Sequence, residues 1–256
     1  MELCALASGS SGNCFYVSNG NSGILIDAGI STKQIIERMS LINKSPETIK
    51  AIFITHEHSD HIRGADVFAR KFNVPIFATK KTVQASFLCS NEDLINTIRN
   101  NETIDINDVE VEAFSKFHRA ADPVSYNISN GKKISIITDV GCVCNNVIKH
   151  VSDSDFLCIE SNYDEEMLEN GPYPYFLKKW IGGDTGHLSN MQSALSILEN
   201  AKSKLKNIAL CHLSEHNNTP SLALNLHRKM IKNRFDLRPK IFVSSKDSAS
   251  EIIKLN

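Results

Sequence analysis

The sequence carries almost no excess of either charge. Its 28 Lys and Arg stand against 29 Asp and Glu, a formal net charge of −1. That balance excludes a protein that holds nucleic acid through a global positive field and leaves room only for a local basic cleft. Long apolar runs are missing too: none approaches the roughly 20 residues that a bilayer span needs, so no membrane partner is expected. The N-terminus, Met1-Glu2-Leu3-Cys4, has no basic n-region and no apolar h-region, so no signal peptide is read. Cysteine is sparse, seven residues at scattered positions, an odd number that fits reduced thiols in a cytoplasm. Repeats, low-complexity tracts and a linker long enough to divide the chain are all lacking. With 256 residues, 41% hydrophobic and 22% charged, the chain can bury a core without disulfides or structural metal and reads as one domain, residues 1–256. What stands out instead is histidine, nine residues that are not scattered.

Short β-branched runs alternate with amphipathic segments, the pattern of an α/β chain. Strands are expected at Ile24–Ile26, Ala51–Thr55, Val74–Phe77, Phe156–Ile159, Ile208–Cys211 and Ile241–Val243, with antiparallel strands within Ile104–Phe114. Asn130-Gly131 lies between Val124–Ser129 and Lys133–Thr138, a strong hairpin signal. Helices are expected after Ser31, from about Ala65 to Phe72, from Thr79 through Val83 and Phe87, from Ser189 to about Lys202, and from Pro220 to about Asn233. Ser189-Asn190-Met191-Gln192 has the form of a capping box.

The strand ends carry the chemistry. Asp27 follows Ile24–Ile26, His56 follows Ala51–Thr55, and His118 comes shortly after the strand around Phe114. Asp139 follows Lys133–Thr138, Glu160 follows Phe156–Ile159, and His212 follows Ile208–Cys211. In an α/β sheet such ends open onto one crevice, so strands emerging at one edge would bring these groups together. Within this set, His56-Glu57-His58-Ser59-Asp60-His61 packs three imidazoles and two carboxylates into six residues. Imidazole with carboxylate is the mixed N/O shell of a catalytic metal such as Zn, Fe or Mn. His56 and His58 alternate like strand side chains and can point to one ion, while Asp60 and His61 can reach a second. Asp139 as a shared carboxylate would set the two about 3.5–4 Å apart.

His56–His61 matches the HxHxDH signature of the metallo-β-lactamase superfamily, and Asp27, His118, Asp139 and His212 fall in that superfamily's order. Leu6-Ala7-Ser8-Gly9-Ser10-Ser11-Gly12-Asn13, Gly186-His187-Leu188-Ser189-Asn190 and His212-Leu213-Ser214 resemble the narrower YycJ/WalJ group of bacterial 5′→3′ DNA exonucleases. The resemblance implies an αββα sandwich: two mixed sheets flanked by helices. It implies two divalent ions (Zn, Mn or Fe), one held by His56, His58, His118 and Asp139, the other by Asp60, His61, Asp139 and His212. Asp27 would brace the signature loop rather than bind metal. A bridging hydroxide would attack a phosphodiester of nucleic acid, DNA being the expected substrate, with Asp60 orienting it. Glu160-Ser161-Asn162-Tyr163 and Gly186-His187 resemble motifs of the β-CASP nucleases. His187 would meet the scissile phosphate or protonate the leaving oxygen, oriented by Glu160. Only 73 positions separate Asp139 from His212, too few for the large domain inserted in β-CASP enzymes.

Substrate contacts are read from weaker signals. Ser10, Ser11 and Asn13 belong to a run that is either an anion-cradling nest or a tight turn between the first two strands. Arg119 stands where the YycJ/WalJ group commonly has an acid, a departure that points to a phosphate contact. Lys178 and Lys179 are either a solvated face or the lining of a substrate path. Cys142 and Cys144 lack the second pair that a structural zinc site needs and read as packed thiols, and Cys211 should face the core. His150, His216 and His227 read as ordinary surface or helix histidines. Two other functions stay open: a thioesterase or small phosphodiester hydrolase using the same ions, and a regulatory or nucleic-acid-binding protein with a vestigial site. A di-iron oxygen-reducing protein of this fold would place Glu at the second His of the signature, where His58 stands.

Overall fold

The computed structural model describes residues 1–255. Its strands form two mixed β-sheets, and helices flank them. The described residues group into two compact units, the first made of Met1–Ser115, Ala120–Asn130 and the segment from Ser244 onward, the second of Lys116–Arg119 and Gly131–Val243. Among the described residues no helix is long and apolar enough to cross a membrane.

In the first unit, β1 (Glu2–Ala7), β2 (Cys14–Asn19) and β3 (Ser22–Ile26) run antiparallel. From β3 onward the pairing turns parallel, through β4 (Ile49–Phe53), β5 (Ile76–Ala78) and β6 (Ile95–Thr97). A meander of β7 (Thr103–Ile106), β8 (Val109–Ser115) and β9 (Val124–Ser129) completes the strands, with a two-residue strand, Ile253–Lys254, on the edge of β1. Tyr126 of β9 packs edge-on against Phe53 at 5.4 Å and donates its hydroxyl to the Ile54 carbonyl at 2.8 Å, satisfying a polar atom in an apolar layer. Helices α1 (Thr32–Leu41), α2 (Ser59–Ile62), α3 (Ala65–Phe72) and α4 (Lys80–Ala85) lie between the strands in sequence. Ile35 and Met39 of α1 and Phe68 of α3 enter a core with Leu6, Leu25 and Ile52. Ser31 caps α1 with a reciprocal box to Gln34. The helix expected through Phe87 stops at Ala85, because Ser86 turns extended (φ −146°) and leaves Phe87 69% exposed.

The second unit is a four-stranded parallel sheet in the order β10 (Lys133–Ile137), β11 (Phe156–Glu160), β12 (Asn207–Cys211), β13 (Lys240–Val243). Strands covered on both faces read as continuous apolar runs rather than alternating ones, as Phe-Leu-Cys-Ile does in β11. Helices α5 (Asn145–Asp153), α6 (Glu165–Asn170), α7 (Tyr175–Ile181), α8 (Asn190–Asn200) and α9 (Pro220–Ile231) connect them. The capping box at Ser189 and Gln192 forms, but α8 ends at Asn200 and α9 at Ile231, each two residues short of the expected end. Helices α6 and α7, of six and seven residues, are too short to show a period, whereas α5 buries Val147 and Val151 on one face, an i, i+4 signal present in the sequence but absent from the expected helices. Strands form on both sides of Asn130-Gly131, and Gly131 takes the left-handed φ of +68° that such a turn favours in glycine.

Arg38 of α1 is 9% exposed, and its guanidinium donates to the carbonyls of Leu6 (2.8 Å), Lys246 (2.8 Å) and Asp247 (3.1 Å). It therefore ties the C-terminal segment to β1. Arg38→Met should lower unfolding stability by about 1–3 kcal/mol in urea titration. It should also speed proteolysis beyond residue 243; unchanged cleavage there would show that the segment is held by other contacts.

Candidate functional site

In the first unit the parallel pairing of β3 with β4 places Asp27 and Thr55 at one strand edge. Asp27 is fully buried and takes a left-handed backbone, φ 60°, which points its carboxylate back across β4. Oδ1 accepts from the Thr55 amide (2.8 Å), and the Thr55 hydroxyl lies 2.9 Å from Oδ2. His61 Nδ1 donates to Oδ2 at 2.7 Å. The single Thr55 proton goes to Asp27, so towards His56 Nδ1, 2.9 Å away, Thr55 Oγ1 is the acceptor. One carboxylate thus places the ring proton of both buried histidines on Nδ1 and leaves each Nε2 as a lone pair, the form a metal ion requires. His56 Nε2 lies 3.0 Å from His58 Nδ1. Two ligands at about 2.0 Å from one tetrahedral ion sit about 3.3 Å apart, so this donor pair fits a divalent metal. His61 Nε2 lies 3.2 Å from Asp60 Oδ2.

The Ser8–Asn13 run packs behind this loop. Gly12 N–H closes a turn on the Gly9 carbonyl at 3.1 Å. Asn13 is fully buried: its amide nitrogen donates to Gly9 O (3.0 Å) and lies 3.3 Å from both Asp60 Oδ2 and His61 Nε2. Its backbone N–H donates to Asp60 O at 2.8 Å. Asn13 therefore braces the histidine loop, and Ser10 and Ser11 are the exposed members of the run. Gly29 is obligatory for the same contact, since a Cβ there would meet Asp60 O at 1.6 Å. Glu57, the first of the two variable positions of the signature, accepts from the Ala121 amide at 2.7 Å.

In the second unit the parallel strands deliver Asp139, Glu160 and His212 to one edge. Asp139 (φ 51°) and His212 (φ 55°) are both left-handed, turning their side chains over the strand ends. Glu160 is fully buried and accepts from the amides of Asp139 (3.1 Å), Val140 (3.1 Å) and Leu188 (2.9 Å), and from His187 Nδ1 (2.9 Å). His212 Nδ1 lies 2.9 Å from Asp139 Oδ2 and 3.2 Å from Glu160 Oε1. Donor atoms of Asp139, Glu160, His187 and His212 all lie within 4.8 Å of one another, and since amides and His187 occupy the Glu160 oxygens, Asp139 and His212 are the members of this set that suit a cation. His118 is buried, with Nδ1 3.0 Å from the Gly186 carbonyl and Nε2 3.7 Å from Asp139 Oδ1. Burial outweighs its acidic neighbours and brings its pKa down to about 4. For His212 burial acts in the same direction, but Asp139 and then Glu160 overcome it and raise the pKa to about 10. Burial works to raise Glu160, and the neighbouring His187 and His212 hold it low nonetheless.

Asn162 and Asn190, which the sequence offered only as members of their motifs, and Asn218, which lies in none, gain bracing roles. Asn162 Nδ2 donates to the His212 carbonyl (2.8 Å), and Asn218 Nδ2 bonds the carbonyls of Ser161 (2.8 Å) and Asn162 (3.0 Å). Ser161 Oγ donates to Asn190 Oδ1 at 2.5 Å, so the segments bearing Glu160, His187 and His212 are laced together from behind. The Trp180 ring stands edge-on to His187 at 5.8 Å. Among the other expected contacts, Arg119 and Lys179 are exposed, and Lys178 Nζ donates to the Glu169 carbonyl at 2.6 Å. Cys142 and Cys144 are half-buried free thiols and Cys211 is fully buried. His216 is exposed, whereas His150 and His227 are buried on helices, His227 with Nε2 3.1 Å from Ser193 Oγ and its pKa lowered to about 4 by burial.

The raised pKa of His212 makes a prediction for chelator-stripped protein. The ion pair's contribution to stability is fully present below about pH 6.5, the unfolded-state value, and is lost as pH rises through about 10. NMR titration should show the His212 imidazolium persisting above pH 8 and Glu160→Gln lowering its pKa; a wild-type midpoint near 6.5 would refute the pairing.

A family model described as the metallo-beta-lactamase superfamily matches residues 7–112. The chain is 36% identical over 265 residues to the exodeoxyribonuclease WalJ of Streptococcus pneumoniae serotype 2, covering 98% of this chain and 96% of that protein. It is also 36% identical over 232 residues to the exodeoxyribonuclease YycJ of Bacillus anthracis, covering 87% and 86%. Among solved structures, the metallo-β-lactamase fold protein YhfI of Bacillus subtilis matches with a TM-score of 0.72 at 12% identity, covering 98% of this chain and 99% of that one. Zinc-bound PqqB of Methylobacterium extorquens matches with a TM-score of 0.72 at 17% identity over the whole of both chains. At these identities the likeness is one of fold, whereas the similarity to WalJ and YycJ runs through the sequence itself. The chain belongs to the metallo-β-lactamase superfamily, in its WalJ/YycJ group.

Proposed function

We propose that this protein is a metal-dependent phosphodiesterase of nucleic acid, a 5′→3′ DNA exonuclease. The observation that carries the reading is the Glu160–His187 pair. A buried carboxylate holds His187 Nδ1 at 2.9 Å, within one cluster with Asp139 and His212, and leaves the ring 12% exposed. A thioester releases a weakly basic thiolate that needs no proton donor, whereas the alkoxide leaving a phosphodiester is strongly basic and gains from one. The names of the two relatives, both exodeoxyribonucleases, support DNA as the substrate.

Two divalent ions, Zn, Mn or Fe, are proposed to be held by His56, His58, His118 and Asp139 and by Asp60, His61, Asp139 and His212. When bound, such ions polarise the phosphoryl oxygens and lower the pKa of coordinated water. The protein's own groups do the rest. Asp27 and Thr55 keep His56 and His61 in the ligating tautomer, and Asn13 fixes the Asp60 backbone. Asp60 orients the attacking water, and His187 hydrogen-bonds the scissile phosphate and donates a proton to the departing oxygen. Glu160 is a positioning residue that sets the His187 ring. In this reading the chain works as a single catalytic domain without an inserted clamp, in the cytoplasm, where its seven free thiols stay reduced.

The test is incubation with 5′- and 3′-labelled DNA and RNA, single- and double-stranded, in Mn or Zn. Shortening of DNA from the 5′ end is expected. Cleavage of a thioester or cyclic phosphate with no shortening of any strand would overturn the reading. His58→Ala and Asp139→Ala should abolish turnover and lower metal content by mass spectrometry. His187→Ala should cut kcat by roughly 10²–10⁴-fold with bound metal unchanged; full activity would remove His187 from the reaction.

A further inference from the structure

Residues 163–182 build a feature that the proposed chemistry does not use. Asp164 caps α6, Gly171 ends it, and Pro174 opens α7, so two short helices face each other across a turn. Leu177, Trp180 and Ile181 of α7 pack on Tyr163 and Leu168 in a small core of their own. That core uses one side of α7 only. At its first turn α7 leaves Tyr175 71% and Phe176 74% exposed, adjacent aromatics that a soluble surface has no reason to display. Between α6 and α7 lies a cleft of about 610 Å³, whose lining includes the rings of Tyr163 and Tyr175 and two residues of each charge, Glu165, Glu169, Lys178 and Lys179. This is within the range of small-ligand sites.

The lining names the ligand by its chemistry. Tyr163, Leu168 and Tyr175 offer flat apolar walls, and the Lys179 ammonium lies 5.2 Å over the Tyr175 ring. Lys178 uses one of its donors on the Glu169 carbonyl and keeps two. The Glu165 carboxylate already accepts from Ser189 Oγ at 2.9 Å, and with Glu169 it can accept from N–H groups but repels a bare anion. Inorganic phosphate would find no use for the aromatic walls, and an apolar peptide none for the lysines. A nucleotide uses all three: a planar base, edge N–H donors and a phosphate.

The walls of the cleft are joined to the segments that carry the Glu160–His187 pair. Tyr163 follows Glu160 by three residues and pairs with Ser189, two residues after His187. The His187 amide donates to the Ile181 carbonyl at 2.8 Å, and Trp180 of the same helix touches the His187 ring. We propose that this α6–α7 cleft holds a nucleotide of the single strand next to the scissile phosphodiester, its base stacked at Tyr175 and its phosphate at Lys178 and Lys179. The proposal rests on the nucleic-acid reading above and adds a subsite to it.

The test uses the full chain treated with chelator, so that binding is read without turnover. Fluorescence anisotropy with a labelled single-stranded oligothymidylate should give Tyr175→Ala roughly ten-fold weaker binding, while Tyr175→Phe, which keeps the ring, stays near wild type. Lys179→Ala should weaken binding and reduce the slope of log K against log salt by about 1. With metal restored, Tyr175→Ala should raise KM for the oligonucleotide by a similar factor. Wild-type binding that Tyr175→Ala and Lys179→Ala leave intact would overturn the subsite alone. A parallel fall in hydrolysis of bis(p-nitrophenyl) phosphate, which has no neighbouring nucleotide, would also overturn it by showing a general structural effect. A wild-type chain that cleaves that small diester but neither binds nor shortens the oligonucleotide would overturn the nucleic-acid reading itself.

Discussion

Everything in the histidine loop depends on where one buried carboxylate points. Asp27 takes the Thr55 amide and hydroxyl and His61 Nδ1, and through the Thr55 hydroxyl it also settles His56. Neutral imidazole carries a single ring proton, and a metal ligand must present the other nitrogen. A histidine left to solvent divides between the two tautomers. Asp27 removes that freedom for both buried histidines through a single network. The arrangement needs the left-handed backbone at Asp27, because an extended residue would carry its side chain along the strand face instead of across to β4.

The same device recurs in the second unit. Asp139 and His212 are left-handed as well, His212 directly after β12 and Asp139 one residue further from the end of β10. For a residue with a Cβ this conformation costs about 1–2 kcal/mol, so glycine or asparagine would be the cheaper occupant. Neither could offer a carboxylate or an imidazole, and the surrounding hydrogen bonds hold the strained backbone in place. Asn162 grips the His212 carbonyl, and Glu160 accepts from the Asp139 amide. Glu160 is thus the counterpart of Asp27: a fully buried acid whose work is to hold other groups still.

Much of this was legible from residue order. HxHxDH, the acids and histidines at strand ends, and the capping box at Ser189 are local signals, and the chain's local structure honours them. Parallel pairing of β3 with β4, and of β10 with β11 and β12, turns that order into shared edges within each unit. Asn13 was harder to read. A Gly-Ser-rich run is compatible with anion binding and with a turn, and only the close passage of the Asp60 backbone makes Asn13 a brace. The short helices α6 and α7 were illegible because six or seven residues give too few turns to display a period.

Sequence alone determined the family, the donor types and their order, because ligand chemistry resides in the side chains themselves. It determined as well that any hold on phosphate must be local, since a net charge of −1 provides no general attraction. Tertiary structure supplied the means by which Asp27 and Glu160 fill the positioning roles that the resemblance implies: both are fully buried, their oxygens consumed by amides, a hydroxyl and ring nitrogens. It also decided that Asn162, Asn190 and Asn218, far apart in the chain, lace together the segments bearing Glu160, His187 and His212. Those contacts form only after the strands have paired, and no local pattern encodes them.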